Sequence, residues 1–170
     1  DGEVTVSRVA GTVTYPSRFM LVCAMNPCKC GWHGHPSGRC RCTERDVRRY
    51  HSRISGPLLD RIDLIVEVPA LEYEELSRRS SAESSADIKK RVNAARELQR
   101  QRFGGEGTMC NARIGSRELN VVCALDAEGQ ALMHAAFDSM GLSARSYDRI
   151  LRVARTIADL DGQKNISAEH

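Results

Sequence analysis

Four cysteines within fifteen residues constrain the fold of this chain more than any other feature. Cys28, Cys30, Cys40 and Cys42 lie in the sequence CKCGWHGHPSGRCRC, which we call the cysteine loop (residues 28–42). The spacing C-x-C-x9-C-x-C supplies four thiolates, the number that a closed tetrahedral zinc site needs. The nine intervening residues are rich in glycine and can fold back to bring the two pairs together. We therefore predict a structural Zn²⁺ site.

The same segment allows other chemistry. The chain has the character of an intracellular protein, and reducing compartments keep thiols free, which argues against a disulfide framework. A reduced loop without metal and disulfides between the two pairs are the alternatives. His33 and His35 could each replace a cysteine as ligand, although this loop favours exposed histidines. Cys23, Cys110 and Cys123 are isolated, and we interpret them as buried or incidental thiols.

Positive charge is concentrated at the cysteine loop and just after it. Residues 28–53, the basic segment, carry seven basic and two acidic side chains, a formal charge of +5, whereas the whole chain carries +3. Lys29, Arg39 and Arg41 lie in the loop together with Trp32. Cations beside an aromatic ring suit a nucleic-acid backbone or a base stack. We predict that an anionic partner binds here, and a plain solvated surface is the alternative.

The first half of the chain has strand and helix patterns in alternation. Residues 3–15 alternate β-branched and polar residues around a glycine, as in a β-hairpin. The continuous apolar runs 18–25 and 62–68 are typical of strands buried on both faces of a parallel sheet. Between them, a helix over 44–53 is predicted to begin at the capping residue Thr43.

Beyond a serine-rich connector, the patterns are helical. Capping serines and glycines with apolar spacing of three and four predict helices over 86–103, 115–124, 126–140 and 144–160. The predicted organisation is an α/β part over residues 1–76, a linker over 77–87 and a helical domain over 88–170.

Other sequence features bear on location and completeness. No run approaches the roughly 18 apolar residues that cross a bilayer, and the N-terminus does not resemble a signal peptide, so we expect a cytoplasmic protein without a membrane partner. The chain begins at Asp1 rather than methionine, which we interpret as a piece of a longer protein. These residues contain no G-x-x-x-x-G-K-[ST] phosphate loop.

Three segments carry a family resemblance: GEVTVSRVAGTVTYPSRFMLVCAMNPCKCG, RCRCTERDVRRYHSRISGPLLDRIDLIVEVP and GLSARSYDRILRVARTIADLDG. They resemble the magnesium-chelatase-like AAA+ ATPases of bacteria, specifically the ComM/YifB group, over nearly the whole chain. The resemblance implies an α/β fold: part of a P-loop AAA+ open sheet with a β-hairpin and a zinc-knuckle insertion, followed by an α-helical lid bundle. The phosphate-loop and metal-carboxylate motifs of the family would lie before Asp1.

The resemblance also implies roles for individual residues. Asn26 in AMNP matches the sensor 1 asparagine, which orients the attacking water, and the C-terminal end of a parallel strand faces the ligand crevice. Arg61 in LLDRIDL matches the arginine finger, which reaches the nucleotide of a neighbouring subunit. Arg145 matches the sensor 2 arginine of the lid, and Arg149 is a weaker candidate for the same contact. Arg8, a candidate DNA contact, lies near the tip of a hairpin that resembles one which related hexameric helicases point into their central channel. It is displaced by one position from their basic residue, which would reverse its face, and a solvated arginine on an edge hairpin is the alternative.

The assignments of Asn26, Arg61 and Arg145 each have a purely structural alternative. Asn26 before a proline can simply end a strand. Arg61 can form a surface ion pair with Asp60 or Asp63. Arg145 can be a solvated helix residue.

The function implied by the resemblance is a hexameric, ATP-driven DNA motor or helicase, in which this fragment alone is inactive. Such motors promote branch migration in homologous recombination and in uptake of transforming DNA. The implied cofactors are ATP and Mg²⁺, with structural Zn²⁺, and the implied partners are DNA and other copies of the chain. The alternatives are a chelatase-type ATPase that remodels a protein partner and a non-enzymatic, zinc-dependent module that binds nucleic acid.

Overall fold

The computed structural model describes residues 2–70, 73, 83–104 and 110–170. It divides into two compact units, Asp1–Ser55 and Gly56–His170, which are described separately below. The predicted linker over 77–87 falls mostly outside the described residues, and its last three positions already belong to a helix.

The first unit begins with the predicted hairpin. Strands β1 (Glu3–Arg8) and β2 (Gly11–Pro16) pair in antiparallel register. Thr5 lies opposite Thr14, and their hydroxyls are 2.9 Å apart in a cross-strand hydrogen bond. Gly11 adopts a φ of 142°, which disfavours any residue with a Cβ, so the turn requires glycine there. The hairpin predicted from the sequence is confirmed.

Helix α1 (Glu44–His51) follows the cysteine loop. Thr43 and Asp46 form a reciprocal capping box, in which each side chain accepts a hydrogen bond from the backbone N–H of the other. Val47 is buried, while the arginines of the helix face solvent. The predicted helix is confirmed and ends two residues earlier than expected.

The structure differs from prediction at the two apolar runs. Residues 18–25 and 62–68 are not strands, and all of them except the half-buried Ile62 are exposed, with Met20 at 87% and Val68 at 86%. A strand needs a neighbour for its backbone hydrogen bonds. Within the described residues, the β1–β2 ladder and one isolated bridge between Leu125 and Ile166 are the only strand pairings. The expected buried parallel sheet is therefore absent from the described part of the chain.

The second unit is helical. Three of its helices begin at a residue whose side chain accepts the backbone N–H three positions on: Ser84, Asp126 and Ser143. Gly141 ends one helix in the left-handed conformation, with φ 60°. The elements are α2 (Gly56–Leu59), α3 (Ser85–Arg102), a 3₁₀ turn (Asn111–Arg113), α4 (Ser116–Val122), α5 (Ala127–Met140) and α6 (Ala144–Leu160). The four predicted helices are confirmed to within two residues at each end.

Helix α6 is at the centre of this unit. Its apolar stripe belongs to a buried core that comprises Ile114, Leu119, Cys123, Leu151, Ala154, Ala158 and Ile166. Near its C-terminal end, Asp159 is 2% exposed and accepts hydrogen bonds from Asn111 at 2.7 Å, Arg102 at 2.9 Å and Arg155 at 3.1 Å. A buried carboxylate is costly unless it is paired, and here two guanidinium groups pair with it.

Among the helices in the described parts of the chain, none combines the length and the hydropathy that a bilayer span requires.

Candidate metal centre and arginine sites

The four cysteines of the cysteine loop converge on one point. The Sγ atom of Cys28 lies 3.3 Å from that of Cys30 and 3.9 Å from that of Cys40. The Sγ atom of Cys30 lies 3.7 Å from that of Cys40 and 3.4 Å from that of Cys42, and all four atoms lie within 4.8 Å of one another. A disulfide requires roughly 2.05 Å, so these are four separate thiols. Tetrahedral zinc with bonds of about 2.3 Å places sulfurs roughly 3.8 Å apart, and the four spacings given above lie on either side of that value.

Successive reverse turns fold the loop back on itself. The backbone N–H of Gly31 donates to the carbonyl of Cys28 at 3.0 Å, and that of His35 donates to Trp32 at 3.2 Å. Gly31 has φ 81°, a conformation that glycine adopts without strain. His35 accepts a hydrogen bond at Nδ1 from the backbone of Ser37, and the cluster of possible ligand atoms consists of the cysteines alone. The geometry thus favours cysteine ligands over the alternative in which a histidine replaces one of them.

The thiols of the cluster differ widely in pKa. Burial acts to raise the pKa of Cys28, but hydrogen bonds from Cys30, the His33 backbone and Cys42 lower it to about 6. Burial and the neighbouring Cys30 raise the pKa of Cys42 to about 12. Four thiolates so close together repel one another, and a divalent cation removes that penalty. The donor set therefore fits a zinc ion, which would displace the remaining protons.

Both ends of helix α1 contact the start of the cysteine loop and the residue just before it. Lys29 donates from Nζ to Asp46 Oδ1 at 2.8 Å, and His51 Nε2 lies 2.8 Å from the carbonyl oxygen of Pro27. Hydrogen bonds from Lys29 and Thr43 lower the pKa of the Asp46 carboxyl to about 2. Asp46 therefore serves both the helix cap and the cysteine loop, and no local sequence pattern indicates the contact of His51.

The basic residues predicted to bind nucleic acid have different surroundings. The guanidinium carbon of Arg39 lies 5.1 Å from the centre of the Trp32 ring, a cation–π distance. Lys29 pairs with a carboxylate, whereas Arg41 is exposed. Arg8 is the last residue of β1, directly before the turn, and is exposed. Arg41 and Arg8 are thus the candidates whose charges face solvent most directly.

Asn26, the candidate sensor 1 residue, is exposed and lies beside the start of the cysteine loop. Its Cγ atom is 4.0 Å from the position that a Cβ on Gly31 would occupy. The next residue, Pro27, is the one that His51 contacts. The candidate therefore lies directly beside the cysteine loop.

The three candidate arginines of the second unit also have different surroundings. Arg61 donates from Nη1 to the carbonyl of Pro57 at 2.6 Å rather than forming an ion pair with Asp60 or Asp63. Arg145 lies in the first turn of α6 and is exposed. Arg149 donates from Nη1 to the carbonyls of the two residues that flank Arg61. The structure thus brings Arg149 to the backbone around Arg61, a contact that the sequence did not predict.

Two family models match this chain. The model described as magnesium chelatase, subunit ChlI, matches residues 1–76, and the one described as magnesium chelatase, subunit ChlI C-terminal, matches residues 82–170. The chain therefore belongs to the magnesium-chelatase-like family.

Its relatives belong to the ComM/YifB group, as the sequence resemblance indicated. Competence protein ComM of Haemophilus influenzae is 39% identical over 171 aligned residues, and uncharacterized protein YifB of Escherichia coli is 41% identical over 171. Uncharacterized protein Rv2897c of Mycobacterium tuberculosis is 38% identical over 163. The first two alignments cover 99% of this chain and the third covers 96%, but the chain spans only 32% of each relative.

Proposed function

We propose that this chain is part of an ATP-driven motor of the AAA+ type that assembles as a hexameric ring and acts on DNA in the cytoplasm. The observation that carries the proposal is the extent of the similarity to ComM. It covers 99% of the chain and therefore runs through the segments of Asn26 and Arg61 and through helix α6 with Arg145. ComM is named as a competence protein, which supports a role in DNA uptake. We extend the proposal to branch migration in homologous recombination, which the resemblance implies.

The proposed chemistry is hydrolysis of ATP at the interfaces between subunits. The Asn26 amide would orient the attacking water, and the exposed Arg145 would contact the nucleotide from the lid. Mg²⁺ would supply charge neutralisation on the phosphates. Arg61 would reach the nucleotide of the neighbouring subunit, where an arginine finger contributes on the order of 10³ to 10⁵ in rate.

The cysteine loop would hold Zn²⁺ in a structural role. Four cysteines complete a tetrahedral set and leave no position for water, which distinguishes structural from catalytic zinc. The ion would fix the loop that presents Arg39 and Arg41, and the capping contacts of Asp46 would fix the loop against α1.

The basic segment is the proposed DNA contact, together with Arg8 at the hairpin tip. Residues 28–53 carry the excess positive charge of the chain, and most of their arginines are exposed. Binding through phosphates releases counterions, so the affinity falls steeply with salt and shows little sequence preference.

The exposed apolar runs 18–25 and 62–68 fit the same proposal. Soluble proteins rarely expose contiguous apolar segments without a partner. Since the relatives are about three times as long as this chain, we propose that strands from the rest of the protein pair with these two runs in the nucleotide-binding sheet.

Substitution of Arg61 tests the motor. In the full-length protein, Arg61→Ala should lower DNA-stimulated ATP turnover by on the order of 10³-fold, because the transition-state charge loses its guanidinium, while ATP still binds. Arg117→Ala removes an exposed arginine of α4 and is the matched control, with turnover unchanged. Turnover that survives Arg61→Ala would refute the arginine-finger assignment.

The response of turnover to DNA separates the alternatives. The family models are named for magnesium chelatase, which favours a protein-remodelling ATPase as the second candidate. A chelatase-type motor would hydrolyse ATP at a rate indifferent to DNA. A non-enzymatic zinc module would bind DNA but leave ATP unhydrolysed in the full-length protein.

A further inference from the structure

Helix α6 carries three arginines, at three-residue spacing, that donate to backbone carbonyls of separate segments. A guanidinium has five N–H donors in a fixed fork, which suits it to join the ends of segments that lack internal partners. The contacts are Arg149 with Asp60 and Ile62, Arg152 with Ile114, and Arg155 with Gln163 and Lys164.

The contact of Arg149 differs from the others in what it holds. Its Nη1 donates to the carbonyl of Asp60 at 2.8 Å and to that of Ile62 at 3.0 Å, so it joins the two residues on either side of Arg61. We call residues 60–62 the finger turn. The turn continues the short helix α2, because the backbone N–H of Arg61 donates to Leu58 at 3.0 Å. Carbonyls at the C-terminal end of a helix lack intrahelical partners and favour a cation.

We propose that Arg149 is a positioning residue for Arg61 and that it couples helix α6 mechanically to the finger turn. The inference rests on the proposed function, in which Arg61 acts on the nucleotide of a neighbouring subunit. Arg145 lies one turn before Arg149, and residues four apart share a face of a helix. A lid movement sensed at Arg145 would therefore be transmitted through Arg149 to the finger turn.

This assignment is an alternative to direct nucleotide contact, the role that the sequence suggested for Arg149. Both hydrogens of Nη1 are already donated to carbonyls of the finger turn. The carbonyl of Asp60 lies in exposed surroundings and that of Ile62 in partly buried ones, so water can reach them when Arg149 is removed. The fold should therefore survive the substitution, while the orientation of Arg61 should not.

Kinetics of the full-length ATPase provide the first test. A misplacement of about 1 Å costs roughly 10²-fold, so Arg149→Ala should lower kcat by about that factor and leave the Kd for ATP within about twofold. Arg149→Lys keeps a charged donor but not the fork, and should recover about tenfold of the loss. Because Arg149 acts through Arg61, the double variant should turn over no more slowly than Arg61→Ala alone. Additive losses, or an ATP affinity weakened about tenfold or more, would overturn the proposal.

Mixed rings provide the second test. Asn26→Ala subunits have a defective nucleotide site but an intact finger, whereas Arg61→Ala subunits have the reverse. Rings that mix Arg149→Ala subunits with Asn26→Ala subunits should regain turnover, because one kind of subunit supplies the nucleotide site and the other supplies the finger. Rings that mix Arg149→Ala with Arg61→Ala subunits should not, because neither kind has a working finger. The opposite pattern would assign Arg149 to the nucleotide site and overturn the proposal.

Controls separate this inference from the proposed function. Arg152→Ala also removes bonds to a carbonyl, that of Ile114, and its effect should add to that of Arg61→Ala, as expected of a merely structural residue. If Arg61→Ala itself leaves DNA-stimulated turnover unchanged, the arginine-finger role of the proposed function fails. If Arg61→Ala abolishes turnover and Arg149→Ala does not alter it, only the positioning role fails.

Discussion

Lys29 and Asp46 form an ion pair of 2.8 Å that joins the cysteine loop to the first turn of helix α1. The same carboxylate closes the capping box with Thr43, so one side chain serves the loop and the helix together. At the other end of the helix, His51 contacts the carbonyl of Pro27, just before the first cysteine. The candidate metal centre and the basic helix are therefore held in a fixed relation.

Metal analysis tests the centre directly. The protein should contain one zinc ion per chain, because four Sγ atoms lie within 4.8 Å of one another. Cys42→Ser should lose the ion, since three thiolates bind it far more weakly, whereas Cys23→Ser should keep it because Cys23 is a separate, exposed thiol. Elemental analysis after mild chelation measures both. A native protein with four thiols and no stoichiometric metal would contradict the assignment.

The titration of Asp46 tests the support that α1 gives to the loop. Its pKa is lowered from 3.8 to about 2, so the carboxylate contributes stability that is fully present above pH 3.8 and is lost as pH falls through 2. A carboxyl-detected NMR titration should find a lowered pKa for Asp46, and Lys29→Met should raise it. An unshifted titration of Asp46 would show that the ion pair does not form in solution.

The buried charge network predicts a large loss of stability. Asp159→Asn should lower the free energy of unfolding by roughly 3–5 kcal/mol, because it leaves Arg102 and the buried Arg155 without their anion. Asp138→Asn makes the same change in an exposed pair with His134 and should alter the free energy of unfolding by no more than about 0.5 kcal/mol. Denaturant unfolding measures both. Equal, small effects would mean that the network is not desolvated in solution.

Hydrogen bonds also give the Asp159 network a pH dependence. Burial acts to raise the pKa of Asp159, but hydrogen bonds from Arg102 and Asn111 lower it overall. The network therefore stabilises the fold above the ordinary aspartate pKa, and this contribution disappears as pH falls through the lowered value. In Asp159→Asn, the acid limb of the stability curve should flatten.

Salt dependence tests the proposed DNA surface. Arg41→Ala should weaken DNA binding of the full-length protein and reduce the slope of log affinity against log salt by about one. Lys89→Ala removes an exposed cation of α3, outside the basic segment, and is the control. A slope unchanged by Arg41→Ala would remove this residue from the phosphate contacts.

The features that sequence reasoning predicted are those whose determinants are local. The hairpin depends on alternation and one glycine, α1 depends on the pair Thr43 and Asp46, and the candidate metal centre depends on four cysteines in one loop. Each of these requires only residues within about 15 positions of one another. The buried strands expected at 18–25 and 62–68 failed as predictions. An apolar run indicates only that a segment favours burial, whereas a β-strand also needs a neighbouring strand to accept and donate its backbone hydrogen bonds.

The contacts that sequence reasoning missed join distant positions. Arg149 reaches the finger turn across 89 and 87 positions, and Arg102 reaches Asp159 across 57. Local periodicity shows arginines along α6, but an arginine bonded to a distant carbonyl and a solvated one have the same sequence signature. A weak signal existed at Asp159, a charged residue four positions after Arg155 on a mostly apolar face.

Trp32 gives the cysteine loop an optical reporter of its own. It is the single tryptophan of the chain, and its ring meets that of His35 edge to face with centroids 4.9 Å apart. All indole emission from these 170 residues therefore originates between the two cysteine pairs. Binding or removal of a metal ion at the four cysteines, and stacking of a base on the ring, can be tested in this chain by its intrinsic fluorescence without attaching a dye.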